Sequence, residues 1–260
     1  MFPPLRIAFK RASRSTALLA AAARPPEERL ALERRLRGRE EFRDLQAADA
    51  VIVSYGKAGR TWLRVLISRV YQVRHGLSER NLIGFDNLHW RVRAIPRLLF
   101  THDNYLKDYT GNSDDKRDYY AQKLVLLVRH PADTAVSQFF QWKFRMRQHK
   151  MAMNRYPRPD ESLDVGGFLM NAEAGLPRIV DFMNLWAAEF PKLRSGLLLR
   201  YEDLRSDTTG RLGQLFDFLG TPASDEELQE AVRFASVENM RQMESRGTFW
   251  MAGNRMRTRD

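Results

Sequence analysis

The 260-residue sequence contains no cysteine. Disulfides, thiolate metal sites and cysteine nucleophiles are therefore excluded, and the redox compartment leaves no mark on the chain. No apolar run approaches the ~20 residues that span a bilayer. Histidine is sparse, five in all. His75 and His89 lack metal-ligand spacing, and with His130 and His149 they read as structural or surface residues. No metal site is expected. The chain also lacks the Gly-x-x-x-x-Gly-Lys-Ser/Thr phosphate loop, any nucleic-acid-binding motif, any internal repeat and any low-complexity linker.

What the chain does have is positive charge, net +11. That balance favours polyanionic partners: a nucleotide with several phosphates, an acidic glycan or an anionic membrane surface. No nucleic acid is expected, because charge alone supports it. Residues 1–24 are basic at first and then Ala-rich; they resemble a signal peptide only faintly and are expected to form a frayed helix or a tail. Pro25-Pro26-Glu27-Glu28 suits a helix start, with proline early and acids in the first turn. The helix would run to about Leu45 with its charges on a wet face. The expected organisation is an N-terminal tail and helix over 1–45 and one domain over 46–260.

The central stretch is Ala50 to Arg64. Ala50 to Val53 is a short apolar run that suits a buried parallel strand. Gly56 and Gly59 open a tight loop, and from Thr61 onward Trp62, Leu66 and Val70 recur at helical spacing. Such a strand–loop–helix aims backbone N–H groups and a helix N-terminus at one point, a site for phosphate or sulfate. Lys57, Arg60 and Thr61 add side-chain donors. The Lys precedes the second Gly, which sets the loop apart from a Walker A sequence.

Further strands are expected at Leu98–Thr101, in the stretch Lys123–Pro131, which Pro131 ends, and at Gly196–Tyr201. His102 and Arg129 then fall at strand C-termini, the edge where open α/β sheets hold their ligands. Strands alternate with amphipathic helices, so the expected fold is a single α/β domain, a parallel sheet with helices on both faces. Residues 141–158 are basic and aromatic, compatible with a substrate lid, a membrane-touching helix or a solvated face.

Four segments in order resemble the sulfotransferases that use 3′-phosphoadenosine 5′-phosphosulfate (PAPS), in the bacterial branch of that family. They are Gly56-Lys57-Ala58-Gly59-Arg60-Thr61-Trp62, Thr101-His102, Arg129-His130-Pro131-Ala132-Asp133-Thr134-Ala135-Val136-Ser137 and Tyr201-Glu202-Asp203-Leu204. The resemblance implies a P-loop-like sheet and a roughly cytoplasmic-type enzyme with PAPS as co-substrate and PAP as product. It implies that Lys57, Ala58, Gly59, Arg60, Thr61 and Trp62 hold the 5′-phosphosulfate, with Trp62 near the adenine. Arg129 and Ser137 would bind the 3′-phosphate, and Tyr201 would shape the adenine site. His102 would be the general base and Lys57 would stabilise the leaving phosphate. Glu202 and Asp203 are expected to be structural.

The sequence departs from the family in places. Ala58 removes a hydroxyl that Arg60 is expected to replace, and Val237 stands where the family has Phe. The usual Arg-Lys-Gly phosphate clamp has only Ser245-Arg246-Gly247 as its counterpart. A domain without its C-terminal part is therefore expected. Removing one charge-assisted phosphate contact costs about 1.5–3 kcal/mol.

The chemistry agrees with the residue types. An attacking hydroxyl or amine must lose a proton, which a His at a strand end can take. Charge on the leaving phosphate is met by Lys and loop N–H groups. Two other functions stay open: a catalytically impaired binding or scaffold protein, and a P-loop kinase of small molecules. The acceptor, a small molecule, glycan or lipid, is set by residues 74–96, 103–120 and 141–175. Peripheral contact with an anionic membrane is a further expectation. Neither acceptor identity nor oligomeric state is legible.

Overall fold

The computed structural model describes residues 3–159, 163–245, 250–251 and 254–255. In chain order the elements are α1 (Pro3–Ala20), α2 (Pro26–Ala47), β1 (Ala50–Ser54), α3 (Arg60–His75), α4 (Asn87–Arg91), β2 (Leu98–Thr101), α5 (Leu106–Thr110) and β3 (Lys123–Val128). After them come α6 (Pro131–Phe140), which continues into a π-turn over Gln141–Arg145, then α7 (Gln148–Met153), α8 (Val165–Met170) and α9 (Leu176–Glu189). The last are β4 (Ser195–Arg200), α10 (Tyr201–Ser206), α11 (Thr208–Leu219), α12 (Asp225–Phe234) and α13 (Val237–Ser245). A two-residue hairpin, β5 (Trp250–Met251) with β6 (Asn254–Arg255), follows.

The four long strands form one parallel sheet in the order β2-β1-β3-β4. Ile52 pairs with Phe100 on one side and with Val125 on the other, and Leu126 pairs with Leu198. The chain leaves β1 for β2 on one side and returns to β3 on the other. The loops after β1 and β3 therefore diverge and leave a crevice at the C-terminal edge, where such sheets bind ligands. Every residue of β1 is buried, as expected of a strand covered on both faces.

One face of the sheet packs on α3, α11 and α12 through Leu63, Leu66, Val70, Phe216 and Leu228. The other packs on α2, α5 and α9 through Leu45, Leu106 and Trp186. Ser224 and Glu227 close α12 with a reciprocal capping box, satisfying two N–H groups that the helix start leaves open.

The N-terminal segment differs from its sequence expectation in two respects. Residues 3–20 form a complete helix held on α2 by ion pairs, Arg6–Asp44 at 2.9 Å, Lys10–Asp44 at 2.5 Å and Arg14–Glu40 at 2.6 Å. Its partners lie more than twenty residues away, so the local pattern does not reveal them. Nor is α2 a wholly wet helix. Glu33 and Arg34 are buried, and Arg34 donates to Asp108 at 2.9 and 3.1 Å and to the Met153 carbonyl. Gly38 explains the close approach of α2 to α5: a Cβ there would lie 2.2 Å from the Tyr105 carbonyl oxygen. Residues 74–96 and 105–120 contain the short helices α4 and α5. Among the described residues no helix is long and apolar enough to cross a membrane.

Candidate active site

The loop after β1 is shaped by two left-handed residues, Lys57 (φ 70°) and Gly59 (φ 93°). A non-glycine residue at positive φ is strained, by roughly 1–3 kcal/mol, and persists only where its surroundings impose it. Gly59 is also the N-cap of α3, which begins at Arg60. A Cβ on Gly59 would lie 2.5 Å from Cδ2 of Tyr201. Gly59→Ala therefore meets both a backbone penalty and a ring clash. We expect it to lower the unfolding free energy by about 1–3 kcal/mol, measured by urea denaturation. Ala58 is buried and its N–H is bonded to the Tyr55 carbonyl at 3.4 Å, so that group is already engaged within the loop.

Arg129 joins this loop from the end of β3. Its Nη1 donates to the Lys57 carbonyl at 3.3 Å, and its guanidinium lies over the Tyr201 ring at 4.7 Å. Tyr201 meets Trp62 edge-on at 5.8 Å, and Trp62 Nε1 donates to the Ala235 carbonyl at 3.0 Å. Lys57, Gly59, Trp62, Arg129 and Tyr201 thus form one cluster. The Arg129 Nε is buried and has no acceptor among the described residues. A buried donor without a partner costs about 1–3 kcal/mol, which an incoming anion relieves. The side-chain chemistry of this cluster fits a phosphate-bearing nucleotide. Thr61 is exposed in the first turn of α3. Ser137 is half-buried on α6, next to Gln138, whose Oε1 would lie 3.1 Å from a Cβ on Gly56. Glu202 accepts the His130 N–H at 2.8 Å, which ties the start of α10 to the loop after β3.

His102 and Arg60 make a second cluster, on the wall of a cavity of about 860 Å³ between α1, α2, α4 and the end of β2. His102 Nδ1 lies 2.8 Å from the Ser54 carbonyl and Nε2 lies 2.6 Å from Arg60 Nη2. A carbonyl only accepts and a guanidinium only donates. The proton is therefore on Nδ1, and the Nε2 lone pair accepts from Arg60. Burial, reinforced by the Arg60 charge, holds the imidazole well below its ordinary 6.5. Arg60 itself is drawn down to about 9, by burial first and then by Arg64, and its Nη1 has no partner among the described residues.

Glu41 of α2 lines the same cavity and accepts a hydrogen bond from Thr101 Oγ1. Burial pushes its carboxyl up to about 7; the Thr101 bond and Arg60 oppose the rise and Asp103 adds to it. Asp103, the residue after His102, is fixed by Lys116 at 2.6 Å and by the Tyr119 hydroxyl at 3.0 Å.

Two sequence expectations change here. Arg60 does not stand in for the missing Ala58 hydroxyl; its guanidinium turns from the loop to His102. Glu41, grouped with the wet charges of α2, is part of the cavity wall. The exposed Val237 opens α13, and Arg246-Gly247 lie outside the described residues.

Residues 47–258 match the family model of the sulfotransferase domain. The chain belongs to that family. Sulfotransferase relatives include Cytosolic sulfotransferase 3 of Arabidopsis thaliana, 25% identical over 211 residues that cover 76% of this chain and 63% of that protein. Sulfotransferase 2A2 of Rattus norvegicus is 21% identical over 203 residues, 73% of this chain and 65% of that one. The chain thus spans less than two thirds of the length of these relatives. The sulfotransferase fold is also seen in mouse sulfotransferase SULT7A1 complexed with PAP (TM-score 0.50, 22% identity, 77% of this chain and 70% of that chain). Retinol dehydratase in complex with retinol and PAP is similar to the same degree (TM-score 0.51, 17% identity, 81% and 75%). Membership of the sulfotransferase family leaves the kinase alternative without support.

Proposed function

We propose that the chain transfers a sulfuryl group from PAPS to a hydroxyl or amine acceptor. PAPS, when bound, supplies the activated sulfuryl group. The carrying observation is that the loop after β1, His102 after β2 and Arg129 after β3 meet at one sheet edge, with a cavity beside His102. Membership of the family and the PAP complexes of two structural neighbours support the donor.

In this reading Lys57 and the N–H groups of residues 57–62 hold the 5′-phosphosulfate, and Lys57 meets the charge on the leaving phosphate. Arg129 and Ser137 bind the 3′-phosphate, while Trp62 and Tyr201 border the adenine. His102 takes the acceptor proton at Nε2. Because that lone pair now accepts from Arg60, the guanidinium has to withdraw first. The cavity, with Phe85, Trp90, Leu99 and Phe100 in its wall, suits a small acceptor with an apolar body. The retinol held by the neighbouring dehydratase agrees with such an acceptor. A cytoplasmic location goes with this reading.

The engaged His102 favours a second reading, a protein that binds the nucleotide and turns it over poorly. An acceptor screen that follows PAP release from PAPS separates the two. Release that depends on an added hydroxyl or amine supports the transferase; PAP binding with no release for any acceptor supports the impaired binder.

A further inference from the structure

Helix α1 is amphipathic in an inverted sense. Its basic side chains Arg6, Lys10 and Arg14, one turn apart, face the protein and pair with Asp44, Asp86 and Glu40. Three of its large apolar side chains face outward: Leu5, Phe9 and Leu19 are 61%, 65% and 75% exposed, while Ile7 and Leu18 are half-buried. Ala8, Ala12 and Thr16 lie exposed between them. In a soluble helix the usual arrangement is the reverse, with the apolar stripe on the core. Exposing apolar side chains while binding charged ones to the protein leaves the outer face, among the described residues, without a partner of its own kind.

The surroundings of this face indicate what covers it. Arg11 is exposed on α1, and the helix carries no acid. Trp90 is 44% exposed, with Arg91 and Arg93 exposed next to it. Pro3, Pro4, Arg11, Trp90 and Arg91 all line the large cavity. Exposed apolar side chains on α1, with an exposed Trp and arginines at the cavity that the same helix lines, are the composition of a membrane-interface surface. The chain's net charge of +11 acts in the same direction. A second copy of the chain fits less well. Three apolar side chains fall short of the ~800 Å² per partner that stable protein interfaces bury, and a symmetric contact would set Arg11 and its neighbours against their own copies.

We propose that α1 is a membrane-docking helix, which lays its outward apolar face on an anionic lipid surface with the cavity beside it. Residues 141–158 keep the three readings given for them, and the inference rests on the N-terminal helix alone. It does not depend on the sulfuryl-transfer reading.

The test uses the full chain with phosphatidylcholine vesicles, with and without phosphatidylserine, in a co-sedimentation assay. Wild type should sediment with the phosphatidylserine vesicles and less so as salt is raised. The double variant Leu5→Asp/Phe9→Asp should bind at least roughly tenfold more weakly. Both positions are exposed, so the variant should keep its fold, checked by circular dichroism. Wild type that stays in the supernatant would overturn the proposal. So would a folded double variant that sediments like wild type, since the contact would then rest on charge alone. A concentration-dependent dimer lost in the variant, without vesicle binding, would assign the face to a second copy instead.

Discussion

His102→Ala should lower sulfuryl-transfer turnover by about 10²–10⁴-fold and leave PAP affinity within about twofold. The first figure is what a positioned base contributes; the second follows from geometry. His102 contacts the Ser54 carbonyl and Arg60, while the candidate nucleotide cluster is built from Lys57, Gly59, Trp62, Arg129 and Tyr201. The pH profile adds a second signature. The imidazole is held well below its ordinary value by burial and by Arg60, so it is already neutral across the physiological range. The rate should therefore show no acid limb near ~6.5, where an unperturbed His would produce one. Steady-state kinetics over pH, with any acceptor found in the screen, measures both. A variant that retains wild-type turnover would remove His102 from the chemistry.

Glu41→Gln should stabilise the protein by up to about 3 kcal/mol above pH 7 and by little near pH 4. The Glu41 carboxyl stands at about 7 in the folded chain against an ordinary 4.5, with burial the main cause. Between those values the folded state keeps a proton that the unfolded state has already lost. Stability therefore falls as pH rises from about 4.5 to 7, and the full penalty applies above that. Gln retains an oxygen for the Thr101 hydroxyl and has no charge to bury. His102 contributes with the opposite sign, gaining stability as pH rises towards its ordinary 6.5, but that contribution is common to both proteins and drops out of their difference. Urea denaturation of both across pH 4–8 measures the slope. An equal difference at every pH would mean that Glu41 is not held as a buried acid.

A stabilising effect at Glu41 would mark it as a residue kept at a cost in stability, which is the usual signature of a functional position. It lies in the wall that also carries His102 and Arg60. Burial of an acid, a base and a guanidinium together in one cavity gives that wall charges which an acceptor can rearrange.

Much of this architecture was legible because its signals are local. β3 is an unbroken apolar run closed by Arg129-His130-Pro131, and the structure ends it at Val128 and starts α6 at Pro131. The Ser224–Glu227 cap is a four-residue pattern, local in the same way. Gly59 earns its place through a positive φ and the Tyr201 ring, of which only the first is implicit in a strand–loop–helix sequence.

What stayed hidden depends on contacts between distant segments. An Ala-rich basic stretch reads as a frayed helix or a tail until Asp44 and Glu40 are seen to pair with it. The charges of α2 have one pattern in sequence, yet Arg34 is buried, Glu41 lines a cavity and Arg39 is exposed. Arg60 has the charge for an anion-binding loop, but the direction of its side chain is set by His102, forty-two residues on. The outward apolar face of α1 could not be read from its spacing, because an amphipathic pattern does not say which side meets the protein.

The measurement that bears most directly on the donor site is calorimetric titration of PAP into the chain, with Lys57→Ala and Arg129→Ala alongside. Wild type should bind with micromolar affinity. Each variant should bind roughly ten- to hundredfold more weakly, the loss of one charge-assisted contact to phosphate. No binding by folded wild type, or equal binding by the three proteins, would contradict a nucleotide site at the loop after β1 and Arg129.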